Sequence, residues 1–253
     1  EVAGITMAWV LVAHRVHNLG TSSGAITVPD LLSAPFVDPE HLIRKISVLI
    51  ILVMVGAYVS AQMVATGKAF SSFADMNYTA AVIFGASIIM AYTFVGGFKA
   101  VAYTDLVQGL LMLGGLLLVP AVAIATLGGW GPMVDGLHSA DPRLLSFWGP
   151  QGNGLEGWIA VLSFLAIGLP FLGVPQLTVR FMAAKSADTI PTARNISIVV
   201  TFLYGCGAVL TGMAGRVLFP GLEDVETIFP VLASELFPPA ITGLLMVAVL
   251  AAI

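Results

Sequence analysis

Seven long stretches of the chain carry no Asp, Glu, Lys or Arg, and this pattern constrains the fold most. A charged side chain at the centre of a bilayer is costly, so charge-free apolar stretches predict membrane spans. A helix needs about 20 residues to cross roughly 30 Å of hydrocarbon, and the five middle stretches reach that length. We name the predicted spans A to G, and they cover residues 2–14, 46–67, 76–98, 106–134, 157–179, 195–215 and 236–253.

The composition requires an exterior that faces lipid. Only 9% of the residues are charged and 58% are hydrophobic, whereas a soluble domain carries about 25% charged residues. A membrane β-barrel would need strands of about 9–11 residues that alternate apolar and polar side chains. Stretches such as 48–55 and 110–119 are instead apolar on every side. The sequence therefore predicts an all-α polytopic membrane protein.

Several classes of function lack the residues that they need. The ten Lys and Arg residues form no basic stripe and the net charge is −4, so we expect no nucleic-acid partner. The single cysteine, Cys206, excludes an internal disulfide. The four histidines fall in predicted loops or at a span edge, without zinc-like spacing. No phosphate-binding loop is found either. These features disfavour a membrane enzyme and ATP-driven transport, and we expect no cofactor.

Both ends of the sequence look like cuts. The chain begins with Glu1 in place of an initiator Met, and it stops inside an apolar run. We therefore expect a fragment of a longer transporter. In this prediction residues 1–253 form a single transmembrane domain of about seven spans, of which the first and last are partial.

Positively charged residues predict the orientation of the chain, because loops rich in Lys and Arg stay in the cytoplasm. The A–B, C–D and E–F loops carry seven of these residues, and the opposite side carries three. We expect these three loops to be cytoplasmic in a protein of the bacterial plasma membrane. The seven residues are Arg15, Arg44, Lys45, Lys99, Arg180, Lys185 and Arg194.

Span E contains two Gly-x-Pro steps, at Gly168–Pro170 and at Gly173–Pro175. Each proline lacks an N–H and clashes with the carbonyl four residues earlier, so we expect about one turn of the helix to unwind. Unwound backbone is tolerated in a membrane only where protein buries it or where water or a ligand reaches it. Transporters bind substrates and ions at such breaks. The alternative is a kinked helix that serves packing alone.

Span B carries polar side chains at mid-span, namely Tyr58, Ser60 and Gln62. Tyr58 and Gln62 are four residues apart and share one face of the helix. A buried phenol and amide need partners, which a solute could supply. The alternative is that they join neighbouring helices through hydrogen bonds.

The C–D connection and three other segments carry weaker signals. Thr104 or Asp105 suits the N-cap of span D, and an acid there could also hold a passing cation. Gly207, Thr211 and Gly215 have the spacing of a helix-packing motif. Residues 226–237 predict either a short surface helix or a packed loop, and residues 141–154 predict an irregular loop.

Several groups of residues, in this order along the chain, carry a resemblance to a known family. They are Thr27-Val28-Pro29-Asp30, Gly67-Lys68-Ala69-Phe70, Gly96-Gly97-Phe98-Lys99-Ala100-Val101 with Thr104, Asp105 and Gln108, and Arg180-Phe181-Met182-Ala183-Ala184. With these motifs the chain resembles the solute:sodium symporter family, and within it the bacterial sodium/proline symporters. The resemblance covers nearly the whole sequence.

The resemblance implies a fold and an activity. The family fold consists of two inverted repeats of five helices whose first helices are broken, and span E would open the second repeat. The implied activity is sodium-coupled symport of a small organic solute, with proline or a similar amino acid as the first choice. Na⁺ would be the coupling ion, and the lipid bilayer and the solute would be the other partners.

The resemblance also assigns residues. Tyr58 matches a tyrosine that contacts substrate in proline transporters, and Gln62 lies on the same face as Tyr58. Pro175 matches a functionally important proline of the broken helix. Proline transporters have a tryptophan and a tyrosine where this chain has Ile167 and Phe171. Asp105 matches an acid linked to sodium, and Ala252 matches a backbone-carbonyl ligand of sodium.

Two sets of alternatives stay open. Ile167, Phe171 and Val174 make the expected pocket more apolar than a proline site, and pantothenate symporters look similar around Phe237-Pro238-Pro239. Sodium-coupled pantothenate or monocarboxylate transport is therefore an alternative. A channel or a sensory membrane module on the same scaffold is another.

Overall fold

The structure is a computed structural model that describes residues 1–74, 76–222 and 224–251. The described residues form eleven α-helices and no β-strand. A π-helical turn, Ala8–Val12, separates α1 from α2, and short 3-10 turns join several of the others. The helices are α1 (Val2–Met7), α2 (Ala13–Ser23), α3 (Val28–Ser33), α4 (Leu42–Ala74), α5 (Tyr78–Thr126), α6 (Trp130–Ala140), α7 (Leu155–Ala166), α8 (Pro175–Met182), α9 (Ile190–Leu218), α10 (Ile228–Leu236) and α11 (Pro239–Ala251).

Four helical stretches in the described part of the chain are long and apolar enough to cross a membrane. Two further apolar helices, Tyr78–Ala91 and Pro239–Val249, are shorter. This pattern confirms the predicted all-α polytopic membrane protein. The four long stretches are Leu42–Lys68, Thr93–Thr126, Leu155–Leu172 and Ala187–Leu218.

The chain divides into two compact units. The first unit comprises Glu1–Gly56 and Ser146–Phe202, and the second comprises Ala57–Leu145 and Leu203–Ile253. Each unit is built from two separate segments of the sequence. Two of the three divisions fall inside α4 and α9, and the third falls between Leu145 and Ser146, before α7.

The core of the first unit lies where α1 and α2 pack against the segment 169–182. Phe181 and Ile190 are almost fully buried there together with small alanines. The ring of Trp9 meets the ring of Phe181 edge to face, with centroids 4.8 Å apart. Farther along, Gly4 and Gly168 contact each other through their backbones. Small residues at this crossing allow the two helices to approach closely.

The core of the second unit is formed by residues of α5, α6, α9, α10 and α11. Val119, Met133 and Leu232 are fully buried at its centre. On α9, Gly207 lies against the backbone of Leu116 and Gly215 lies against Ile228. The packing role predicted for these glycines is confirmed.

Adding a methyl group at Gly207 is expected to destabilise the second unit. A Cβ at this position would overlap the Leu116 carbonyl, and overpacking of this kind costs about 1–3 kcal/mol. Gly212 lies on the same helix with open space at its Cβ position, so Gly212→Ala is the matched control. Thermal unfolding of the purified protein measures both, and equal midpoints for Gly207→Ala and Gly212→Ala would contradict the packing role.

Three features of the described residues differ from the prediction. α5 continues through the predicted C–D connection, and its interruption is at Gly97, with φ 54° and ψ −153°. Thr104 and Asp105 lie well inside this helix, so the predicted N-cap is wrong. The Thr104 hydroxyl instead donates to the carbonyls of Ala100 and Val101. Glycine adopts the positive φ that the turn requires, so the second half of α5 begins there.

The second difference is the residue at which span D ends, and the third is the position of His17. Span D ends at Thr126 instead of residue 134, because Gly128 and Gly129 take positive φ values of 91° and 114° before α6 begins. His17 is not in a loop but lies buried in α2. The short helix predicted for residues 226–237 is confirmed as α10.

Candidate functional site in an interrupted span

The predicted interruption of span E is confirmed. α7 ends at Ala166, a 3-10 turn covers Leu169–Leu172, and α8 begins at Pro175. Pro170 has no N–H to donate to the carbonyl of Ala166, and Pro175 has none for the carbonyl of Phe171. The two prolines therefore remove the helical donors of two main-chain carbonyls that are five residues apart.

The hydrogen bonds inside the break differ from those of a helix. The amides of Gly173 and Val174 both donate to the carbonyl of Pro170, each at 3.0 Å. Val174 is extended, with φ −63° and ψ 127°. The chain thus tightens into a 3-10 turn, extends for one residue and restarts as α8.

This backbone can bind both ends of a polar solute. Carbonyl oxygens that have lost their helical donors can bind a cation or an N–H group. Amides in the first turn of a helix favour an anionic group such as a carboxylate. In α8, Pro175 has no N–H, and the amides of Leu177 and Thr178 donate to the carbonyl of Val174 at 3.2 and 3.1 Å. The amide of Gln176 is therefore the first-turn donor that the break can offer, beside the carbonyls of Ala166 and Phe171.

Three of the predicted site residues lie together along this segment. Ile167 follows the end of α7 and is 56% exposed, while Phe171 and Pro175 are partly buried. Next to them Thr178 is buried, and its hydroxyl donates to the carbonyl of Val174 at 3.1 Å. The side chains next to the break are mainly apolar, so the polar groups at this point come from the backbone.

The polar pair predicted on span B lies on α4, in the second unit. Gln62 Nε2 donates to the hydroxyl of Tyr58 at 2.7 Å, which confirms that the two share a face. Tyr58 is 53% exposed. Among the described residues, neither side chain forms a hydrogen bond with a second helix. The proposed role as a link between helices therefore finds no support.

Of the two residues that the resemblance links to sodium, the structure describes Asp105 but not Ala252. Asp105 lies on α5, partly exposed, two turns beyond the interruption at Gly97. Ala252 falls outside the described residues. No group of three or more His, Cys, Asp or Glu that could hold a metal is found in the described ranges.

Two residues next to α8 were missed by the sequence reasoning. Trp9 Nε1 and His17 Nδ1 are buried, and neither has a hydrogen-bond partner among the described residues. His17 belongs to α2, which packs against α8. The spacing of His17 from Ala13 and Gly20, which are also buried in α2, is the signal that could have placed it on a buried face.

An interrupted helix inside an all-α membrane fold is typical of secondary transporters. The sequence model of the Sodium:solute symporter family matches residues 1–253. The chain belongs to this family.

Three proline transporters are similar in sequence to most of this chain. The high-affinity proline transporter PutP of Bacillus subtilis is 39% identical over 250 residues, which cover 97% of this chain and 52% of that protein. The osmoregulated proline transporter OpuE of the same species is 36% identical over 90% of this chain and 46% of that protein. A sodium/proline symporter of Staphylococcus aureus is 36% identical over 99% of this chain and 49% of that protein. The chain spans about half the length of these relatives.

Proposed function

We propose that the protein carries a small organic solute, with proline as the first choice, across the cytoplasmic membrane together with Na⁺. The observation that carries this proposal is the interruption between α7 and α8, where two prolines free main-chain carbonyls in a membrane span. The names of the relatives support the choice of solute and of coupling ion. No covalent chemistry is needed, because transport requires only binding and movement.

The proposed binding mode uses the backbone of the break. The carboxylate of an amino acid meets the amide of Gln176 at the start of α8, and its amine meets the freed carbonyls. Ile167, Phe171 and Pro175 supply apolar contacts for the side chain or ring. On the resemblance alone, Tyr58 and Gln62 are also proposed as substrate-linked residues, and Asp105 and Ala252 as sodium-linked residues.

The sodium gradient supplies enough free energy for accumulation. A membrane potential of 100 mV contributes roughly 2.3 kcal/mol per charge, and a tenfold sodium gradient adds about 1.4 kcal/mol. The sum of about 3.7 kcal/mol sustains several-hundredfold accumulation of solute at one-to-one coupling. Sodium and solute must strengthen each other's binding to the same degree, because coupling between two ligands is reciprocal.

A second group of solutes is favoured by one observation. The side chains of the break are apolar at Ile167, Phe171 and Val174, so a longer or more apolar acid such as pantothenate or a short monocarboxylate would also fit. These solutes share the carboxylate with proline. The proposal for the Gln176 amide is the same for each of them.

Uptake into proteoliposomes tests the proposal. The full-length protein should accumulate labelled solute when the outside contains Na⁺, and accumulation should vanish when K⁺ replaces Na⁺. A panel of proline, pantothenate and short monocarboxylates identifies the solute. Accumulation that is equal in Na⁺ and K⁺ would refute sodium coupling.

Tyr58→Ala is expected to weaken solute affinity about tenfold. Loss of one hydrogen bond to a solute costs roughly 1.4 kcal/mol, which corresponds to one decade. Because Tyr58 is half exposed, the abundance of the protein should not change. Tyr103→Ala is the matched control, since Tyr103 is an exposed tyrosine on α5. Lost abundance with unchanged affinity would instead indicate a packing role for Tyr58.

A further inference from the structure

The short helix α3 is held rigid by its own sequence. The hydroxyl of Thr27 accepts from the amide of Asp30 at 3.3 Å, and the Asp30 carboxylate accepts in return from the Thr27 amide at 3.3 Å and from the Thr27 hydroxyl at 2.7 Å. This capping box fixes the start of the helix. Pro29 lies in the first turn, where its fixed φ suits the helix. α3 can therefore move as one piece.

The buried face of α3 contacts the second half of the interrupted span. Val28 and Leu31 are buried, and α3 packs against both α2 and α8. A Cβ added at Gly20 of α2 would lie 3.8 Å from Leu31 and 3.5 Å from Met182 of α8. Leu31 and Met182 thus converge on one glycine. A displacement of α8 at this end must displace α3.

The other face of α3 is tied to α4 by an ion pair. Arg44 Nη2 lies 2.8 Å from Asp30 Oδ1, and the two side chains are 47% and 28% exposed. The hydrogen bond from Thr27, assisted by the charge of Arg44, lowers the pKa of Asp30 below its ordinary value. The carboxylate is therefore ionised at neutral pH.

An open polar cavity of about 380 Å³ adjoins the pair, and Ser23, Ser33 and both charged residues line it. Water reaches the ions through this cavity. Ion pairs exposed to water are weak, since hydration replaces most of the attraction when they separate. The contact between α3 and α4 can therefore break and re-form at little cost, as a reversible contact must.

We infer that the Asp30–Arg44 ion pair is a latch that holds α3 against α8 and restrains the second half of the interrupted span. The inference rests on the proposed transport function, in which α8 moves as the site opens. Asp30 belongs to α3 and Arg44 to α4, so both lie outside the break. They are positioning residues that act through α3.

Thiol accessibility at Leu31 tests the latch. The full-length protein carries Cys206→Ser, which removes the native thiol, and Leu31→Cys. Because Leu31 is only 4% exposed, a cysteine at this position should react only when α3 moves away from α8. Arg44→Gln should accelerate labelling up to about fivefold, the range expected from losing an exposed ion pair. Arg44→Lys keeps the charge and should label at nearly the original rate. Asp30 is left intact, because changing it would also remove the capping box.

A second ion pair provides the control. Arg143 Nη2 lies 2.9 Å from Asp141 Oδ2, with side chains 64% and 30% exposed, and the two residues are only two positions apart. Arg143→Gln therefore removes a similar pair that joins no two helices, and it should leave labelling of Leu31→Cys unchanged. Equal labelling with Arg44 and with Arg44→Gln would overturn the latch. So would acceleration by Arg44→Lys or Arg143→Gln as large as that by Arg44→Gln.

Uptake kinetics separate this inference from the transport proposal. Arg44→Gln should change the maximal rate of sodium-driven uptake and leave the solute concentration for half-maximal uptake unchanged. If the protein with Arg44 and Asp30 intact shows no sodium-driven uptake, the transport proposal fails, and the labelling rates still decide the latch. If uptake is normal but the labelling rates do not differ, only the latch fails.

Discussion

Replacing both Pro170 and Pro175 with alanine is expected to lower sodium-driven uptake at least about a hundredfold. Each alanine supplies the N–H that the proline lacks, so the carbonyls of Ala166 and Phe171 regain helical donors. Each carbonyl that no longer binds a ligand weakens ligand affinity by about 1.4 kcal/mol, which is one decade. Two such carbonyls therefore correspond to two decades. Initial rates of uptake and the affinity for solute both measure the effect.

Pro239→Ala is the control for this prediction. Pro239, like Pro175, is the first residue of its helix, but it lies outside the break between α7 and α8, so its replacement changes no hydrogen bond of the break. This variant should transport solute at nearly the unsubstituted rate. Full uptake by a well-folded Pro170→Ala/Pro175→Ala protein would show that the break is not needed for binding.

Gly4→Val is expected to cause the largest loss of stability. A Cβ at Gly4 would overlap the backbone of Gly168, and a backbone cannot move aside as a flexible side chain can. We expect a cost of about 3 kcal/mol, the upper part of the range for overpacking. The change also pushes α1 away from the break, so uptake should fall with the thermal midpoint of the purified protein.

Gly56→Ala is the matched control in the same unit. A Cβ at Gly56 of α4 would meet no atom within 4 Å, and alanine favours a helix over glycine by up to about 1 kcal/mol. Its thermal midpoint should therefore stay equal or rise. A Gly4→Val protein as stable as the Gly56→Ala protein would show that α1 does not depend on this close crossing.

The break was predictable from the sequence because its cause is local. Pro170 and Pro175 lack donors in any environment, and glycine precedes each of them by two residues. The apolar spans were predictable for a similar reason, since stretches without charged residues can be found along the sequence without knowledge of any contact. The Tyr58–Gln62 pair followed from helical spacing.

The remaining features depend on contacts between distant residues or on competing local choices. The side chains of Thr104 and Asp105 could both cap a helix, but Gly97 makes a turn seven residues before Thr104. The second half of α5 starts at that turn. The burial of His17 depends on α8, more than 150 residues away in the sequence. The Asp30–Arg44 pair forms only because α3 folds back towards the start of α4.

Protection from thiol labelling tests most directly whether the break between α7 and α8 binds the solute. A full-length protein with Cys206→Ser and Phe171→Cys is treated with a thiol reagent in the presence of solute. If the break binds the solute, proline together with Na⁺ slows the labelling of this cysteine several-fold, whereas proline with K⁺ does not. Labelling at the same rate in both solutions, in a variant that still accumulates proline, would contradict a binding site at the interrupted helix.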